Sequence, residues 1–332
     1  MFMDTRRLRK RIIVLTMWCV ALTVIMIAEA VALVILGKKL YREMGGWGRT
    51  LHVEDREELA LGESELSESV FNNYMMYLKQ AYILFGDYPE CEYYKISDKI
   101  ARNNYDFAND FAYDEKSSYL YYMSEGKKAS SVAIDVSEHQ AEIDWTKVRA
   151  SGVNTAIIRV GFRGYGYDGT LNADTMYTTH MDAAKKAGMK TAAYFFTEAI
   201  NYDEGVEEAN YALSLIKGHE PSEKIIIIDT EYIYNDDEAR ANYISNEDRT
   251  AAIKGFCETV KAAGYTPMIY ASYNWFIVNM DLDQLADYEL WLADYDEKEY
   301  VDFPYVLAGW QYSPYGSVPG VEGDVDVNVW FR

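Results

Sequence analysis

From residue 131 onward the chain alternates short apolar runs, rich in Val, Ile and Tyr, with longer amphipathic stretches, and few architectures accept that rhythm. The runs fall at 132–136, 155–160, 190–196, 224–229 and 267–272, with helical patterns between them at 144–150, 172–187, 203–217 and 246–263. Ala187-Gly188 and Ala263-Gly264 read as helix C-caps leading into strands. After Ser272 the helices shorten, and three more runs follow at 290–293, 307–312 and 325–329. Strands in βαβ succession imply a parallel sheet. Eight of them in so few residues predict an α/β fold of a particular kind, a modified (β/α)8 barrel with reduced helices in its second half. No Gly-rich phosphate loop of the usual spacing follows the first strand, which weakens a nucleotide-binding reading.

In such a barrel the chemistry collects at the C-terminal ends of the strands. Acidic residues gather there: Asp135 in the first run, Asp229 and Glu231 after the fourth, Asp294 after the sixth and Asp326 in the last. Asp229 and Glu231 are two residues apart at the end of a strand, so both side chains aim the same way, with Cα atoms about 6.5–7 Å apart. Two close carboxyls in a partly dry cleft repel each other, and one pKa rises. A proton donor beside an anion is the pairing that glycosidic cleavage uses. Loop-end acids facing solvent, or a metal site, are the competing readings. The four histidines, His52, His139, His180 and His219, are scattered along the sequence, so no ligand cluster, metal or cofactor is expected. Tyr194, Phe196, Tyr270, Trp310 and Tyr312 fall at neighbouring strand ends, where flat apolar faces suit a sugar but also suit barrel packing. Arg159 is placed to pair with a carboxylate, for structure or to orient the site.

The N-terminal part has a different character. Residues 12–36 are apolar with one charge, Glu29, and are long enough to cross a hydrocarbon core of roughly 30 Å. Five basic residues precede the run within eleven positions, which favours a cytoplasmic N-terminus. A signal peptide cleaved near Ala28-Glu29-Ala30 is the competing reading, although the apolar run continues past that point. The expected organisation is a cytoplasmic tail (1–11), a transmembrane signal anchor (12–36), an extracytoplasmic, mostly helical stalk (37–128) and a catalytic barrel (129–332). In the stalk, Leu66, Val70, Tyr74, Leu78 and Tyr82 form one helical stripe, and Ile96, Ile100, Asn104, Phe107 and Phe111 predict a second helix. Its many tyrosines pack its own core, or serve a partner or self-association.

Charge divides the same way. The chain has 53 acidic and 32 basic side chains. Residues 1–49 carry nine basic and three acidic ones, a net +6, which leaves 23 basic and 50 acidic residues, or −27, for the rest. So acidic a body does not bind nucleic acid through a basic footprint. Three cysteines are too few for a disulfide framework.

The barrel region resembles glycoside hydrolase family 25, the lysozymes of the Chalaropsis type. The resemblance is carried, in order, by Asp135-Val136-Ser137-Glu138-His139-Gln140, Ile143-Asp144-Trp145, Ile158-Arg159-Val160-Gly161 and Ala193-Tyr194-Phe195-Phe196, though many members have His at the position of Phe195. It continues through Asp229-Thr230-Glu231, the stretch from Gly264 to Tyr270, Trp291-Leu292-Ala293, Trp310-Gln311-Tyr312-Ser313 and Val325-Asp326-Val327-Asn328. It does not extend to 1–128. It implies a muramidase acting on peptidoglycan glycan strands. By position, Glu231 would be the general acid/base and Asp229 would orient the substrate's own acetamido group. Asp135 and Asp326 would hold the sugar or tune the pair, and Tyr194, Phe196, Tyr270, Asp294, Trp310, Gln311 and Arg159 would line the substrate site. A wall-glycan receptor without catalysis and a chitinase-like glycosidase remain as alternatives.

Overall fold

The computed structural model describes residues 81–85, 92–140, 142–236 and 238–332. The run 12–36 and the stripe from Leu66 to Leu78 lie outside the described residues. Among the described residues no helix is long and apolar enough to cross a membrane. The chain divides into two compact units, 1–78 with 84–93, and 79–83 with 94–332, and the second contains the barrel.

The strands are β1 (Tyr82–Phe85), β2 (Glu92–Lys95), β3 (Phe111–Tyr113), β4 (Leu120–Ser124), β5 (Lys127–Lys128) and β6 (Ser131–Val136). Then come α1 (Trp145–Ala150), β7 (Thr155–Arg163), β8 (Leu171–Ala173), α2 (Tyr177–Lys186), β9 (Lys190–Phe196), α3 (Tyr202–Leu215) and β10 (Ile225–Asp229). The chain ends with α4 (Asn246–Ala262), β11 (Thr266–Ser272), α5 (Tyr273–Val278), β12 (Glu289–Ala293), β13 (Gly309–Gly316) and β14 (Val325–Trp330).

Eight of these strands close a barrel in the order β6, β7, β9, β10, β11, β12, β13, β14, with β14 returning to β6 and β8 added outside β7. β10 reads Ile-Ile-Ile-Ile-Asp and is buried throughout, as a parallel strand covered on both faces must be. Its alternate side chains separate two cores. Ile225 and Ile227 fill the barrel with Ala133, Ile157, Ala192, Met268, Trp291 and Trp330. Ile226 and Ile228 face the outer shell with Ile253 and Phe256 of α4. Gly188 and Gly264 take positive φ, 78° and 85°, directly after the C-caps Ala187 and Ala263, as the caps in the sequence predict.

Two expectations are corrected. The barrel is not parallel throughout: β14 runs antiparallel to both β13 and β6. The connection between β13 and β14, residues 317–324, is shorter than the dozen or so residues a parallel crossover requires, so the chain turns back. The start of β14, not its end, therefore reaches the mouth. Residues 96–111 form no helix, and residues 92–128 of the expected stalk are built of strands and turns. The stretch is dense in Asn and Asp, which hydrogen-bond local backbone and compete with helix. Asp106 Oδ1 accepts from the amides of Ala108 and Asn109, and Asn103 Nδ2 donates to the carbonyls of Phe303 and Tyr305, both at 2.7 Å.

That segment has a definite place. Phe107 and Phe111 meet Trp310 edge-on, with ring centroids 5.4 and 5.3 Å away, and Tyr105 stacks on Phe331. The Leu120 amide donates to the Tyr312 hydroxyl at 3.2 Å. Helices thin out around the second half of the barrel, and the outer face of β13 and β14 would otherwise meet water. Residues 103–124 cover it, and their aromatic rings join the barrel's outer core.

Candidate functional site

The alternation that buries Ile225 and Ile227 inside the barrel also carries Asp229 inward at its mouth. Beyond the strand, the Thr230 amide still donates to the Tyr270 carbonyl (3.1 Å), and the Thr197 amide to the Asp229 carbonyl (2.9 Å). Thr230 Oγ1 accepts from Trp275 Nε1 at 3.0 Å, which fixes that side chain on the outer side. Strand-like alternation then returns Glu231 to the side of Asp229. The two carboxyls hydrogen-bond each other.

The neighbouring strands add their inward residues at the same level. Asp229 lies in register with Phe196 on β9 and Tyr270 on β11. Asp135 lies opposite Asp326, and Gln311 opposite Asn328. Because β14 is reversed, Asp326 reaches the mouth from the strand's first turn of alternation. Asp135 is the most completely satisfied of the four acids. Both its oxygens accept from Gln311 Nε2 at 3.0 Å, and Oδ2 also accepts from Asn328 Nδ2 at 2.8 Å. Gln311 Oε1 in turn accepts from the hydroxyls of Tyr270 (2.7 Å) and Tyr295. Asn328 Oδ1 accepts from Trp291 Nε1 at 2.7 Å.

Four carboxyls so close cannot all ionise. Burial raises Asp229 well above the usual carboxylate range, and the charges of Glu231 and Asp135 raise it further. Its Oδ1 is buried with no hydrogen-bond donor. The pair therefore holds a shared proton to higher pH than ordinary carboxyls do, and burial and the charge of Asp135 raise Glu231 as well. Burial lifts Asp135 to about 6, held from going higher by the donors of Asn328 and Gln311. Asp326 rises to about 9, through burial and the charges of Asp135 and Glu231, and donates to Asp135. The cluster is thus two proton-sharing pairs, a proton reservoir beside anions.

Stability depends on the same protons. Asp326 ionises near 3.8 in an ordinary setting and at about 9 here, so at this group the folded chain holds a proton that the unfolded one has lost across that window. The stability that Asp326 contributes is then lost as pH rises from about 4 to 9. Asp326→Asn keeps a neutral donor toward Asp135 and removes the titration. Denaturant midpoints measured from pH 5 to 9 are expected to decline less steeply in this variant than in the wild type; equal slopes would show that Asp326 ionises normally.

The other sequence-derived candidates divide. Tyr194 and Phe196 face inward, half-buried, and Tyr194 is pushed far up by burial and the charge of Asp135. Arg159 also sits at the mouth, but its partners are Asp174 (2.8 Å) and Glu138 (3.1 Å), not the four acids. Trp310 and Tyr312 are not brought into the site. They alternate outward on β13, and Trp310 is 1% exposed against Phe107 and Phe111, with its Nε1 donating to the Asp294 carbonyl. Asp294 also leaves the cluster: it is one residue out of phase with inward Ala293, accepts from the Asp296 amide, and is raised to about 6 by burial and by Asp296 and Asp302. Two residues of the site are absent from the sequence-derived set, Tyr295 and Asn328. Each lies two residues beyond an inward position, Ala293 and Asp326, so strand alternation is the signal that finds them. Among the described residues no group of three or more His, Cys, Asp and Glu is arranged to hold a metal ion.

Comparison with known proteins places this arrangement. The chain is 27% identical over 196 residues to the autolytic lysozyme of Clostridium acetobutylicum, covering 59% of this chain and 54% of that protein. It is 28% identical over 206 residues to lysozyme M1 of Streptomyces globisporus, covering 59% of this chain and 66% of that one. The chain therefore spans roughly half to two thirds of the relatives it matches. The modular autolysin LytC from Streptococcus pneumoniae shares the fold, with a TM-score of 0.56 at 24% identity over 66% of this chain and 52% of that chain. The model of glycosyl hydrolases family 25 matches residues 134–321, more than half of the sequence and most of the barrel, and the chain belongs to that family.

Proposed function

We propose that the protein is a membrane-anchored muramidase that hydrolyses the β-1,4 bond between N-acetylmuramic acid and N-acetylglucosamine in peptidoglycan. The observation that carries this reading is the hydrogen-bonded Asp229–Glu231 pair, both raised by burial, at the barrel mouth. In the resting site the pair's proton sits on Asp229. A bound sugar's acetamido N–H needs an acceptor, and Asp229 is a stronger one when ionised. Seating that group shifts the proton to Glu231, which then protonates the leaving glycosidic oxygen. The acetamido oxygen attacks the anomeric carbon as internal nucleophile, and Asp229 stabilises the positive charge that develops. Glu231, now ionised, takes a proton from the water that opens the intermediate. Asp135 and Asp326 hold the charge balance of the pair, and Tyr194, Phe196, Tyr270 and Gln311 shape the sugar's pocket.

The apolar run 12–36 and the basic residues before it support anchoring with the barrel outside the cytoplasm. A −27 body is repelled by an anionic wall, and a tether offsets this by raising the local concentration. Such a tethered enzyme is suited to remodelling the cell's own wall.

Mass analysis of products from purified peptidoglycan tests the bond. New reducing ends are expected on N-acetylmuramic acid. Reducing N-acetylglucosamine would assign a different glycosidase, and intact strands that co-sediment with the protein would assign a receptor. The full chain is the right reagent, because residues 94–128 complete the barrel's outer core.

A further inference from the structure

The segment after Glu231 carries tyrosines that stand largely in water. Tyr234 is 88% exposed and Tyr243 is 73% exposed, although both lie on a tightly held stretch. Buried Asn242 clamps it from within: the Ile233 amide donates to its Oδ1 (2.9 Å), and its Nδ2 donates to the Ile233 carbonyl (3.0 Å). The Ala241 amide donates to the fully buried Glu198 at 3.1 Å, and the Ala241 carbonyl accepts from Arg249 at 2.7 Å. The Arg249 guanidinium lies over the Trp275 ring, 4.3 Å from its centre, and Trp275 is the residue that fixes Thr230 between the paired acids. Arg240 ties the same stretch to Glu204 through two hydrogen bonds of 2.7 and 2.9 Å.

The rings form one cluster on the loop that follows Glu231 at the barrel mouth. Tyr232, next to Glu231, stands 6.0 Å from Trp275 and 4.9 Å from Tyr234 between ring centroids, and it shares a 2.7 Å hydrogen bond with the Tyr243 hydroxyl. The contacts with Tyr232 order these rings but leave most of the area of Tyr234 and Tyr243 in water, where apolar faces are unfavourably hydrated. Buried Glu198 and Arg249 hold the backbone of the same stretch at Ala241. Aromatic rings clustered at the surface on so rigid a stretch mark a face suited to a partner. Asp236 and Glu238 flank them, which turns the charged peptide parts of a wall strand away from the rings and favours contact with the uncharged faces of its sugars.

We propose that Tyr234 and Tyr243 form an aromatic platform that holds the glycan strand beyond the sugars being cleaved, so that affinity grows with strand length. This rests on the muramidase reading for the identity of the strand, and the platform can be tested by binding alone. The probes are uncrosslinked peptidoglycan strands of one to six disaccharide-peptide repeats, titrated against the full chain carrying Glu231→Gln to prevent turnover. With the tyrosines intact, affinity is expected to rise with each added repeat. With Tyr234→Ala and Tyr243→Ala together, binding of one repeat is expected to be unchanged and binding of six repeats to weaken about tenfold or more. Tyr243→Phe keeps the ring and is expected to keep the length dependence. No loss at six repeats, an equal loss at every length, or a Phe variant as weak as the Ala variant would each overturn the platform. Failure of the muramidase reading shows separately, in the reducing ends released by the wild type.

Discussion

Glu231→Gln is expected to lower turnover of purified peptidoglycan by about 10³-fold or more, with the thermal midpoint and strand binding nearly unchanged. The amide fills the same space and accepts from Asp229, but it can neither deliver a proton to the leaving oxygen nor take one from water. General acid–base steps contribute roughly 10²–10⁴-fold each, and here one group serves both halves of the reaction. Asp229→Asn is expected to cost less in the first step, because the amide still faces the acetamido group, yet it also removes the pair's shared proton. The measurement is release of reducing ends over a pH series. In the wild type, activity should fall as pH rises past the point where the Asp229–Glu231 pair loses its proton, since burial and mutual repulsion place that loss above the usual carboxylate range. If the Gln variant retains more than a tenth of wild-type turnover, the proton donor is another of the four acids.

Trp310→Ala should act on stability rather than on sugar binding. The side chain is buried against Phe107 and Phe111, on the outer face of β13. Truncating a buried Trp costs about 3–5 kcal/mol, from lost burial and the cavity left behind. Chemical denaturation of the full chain is expected to show a loss of that size, with the Michaelis constant of the fraction still folded unaltered. A variant of normal stability with weakened substrate binding would return Trp310 to the cleft. The same packing explains why the barrel should not be cut at residue 129: without residues 103–124 the outer face of β13 and β14 is bare.

Much of the barrel is legible in the chain. The β10 run of four isoleucines and an aspartate announces a strand covered on both sides, and Asp229 with Glu231 announces its working end. The capping pairs Ala187-Gly188 and Ala263-Gly264 mark where helices stop, because only a residue free to adopt positive φ closes a helix that way. These signals are local: each depends on a few neighbouring side chains and on a period of two or of 3.6.

What fails to show in the chain is whatever depends on partners distant in sequence. Trp310 and Gln311 are adjacent and equally plausible as site residues, yet one supports a core and the other holds Asp135. The choice depends on the phase of β13 relative to β12 and β14 across the barrel. Asp294 and Tyr295 exchange roles for the same reason. The 96–111 stretch has helical spacing of its apolar residues, but its Asn and Asp side chains bind nearby backbone and the carbonyls of Phe303 and Tyr305 instead.

The amino-acid order alone thus determined the kind of barrel, its strands and the paired acids at its mouth, since periodicity, burial and caps act over short range. Tertiary structure alone decided that β14 runs backward, that Asp326 meets Asp135, that burial and neighbouring charge raise both Asp229 and Glu231, and that an N-terminal segment stands in for missing helices. Those outcomes rest on strand closure, on charges gathered from β6, β10 and β14, and on apolar surface needing cover, and each is a balance between residues far apart in the chain.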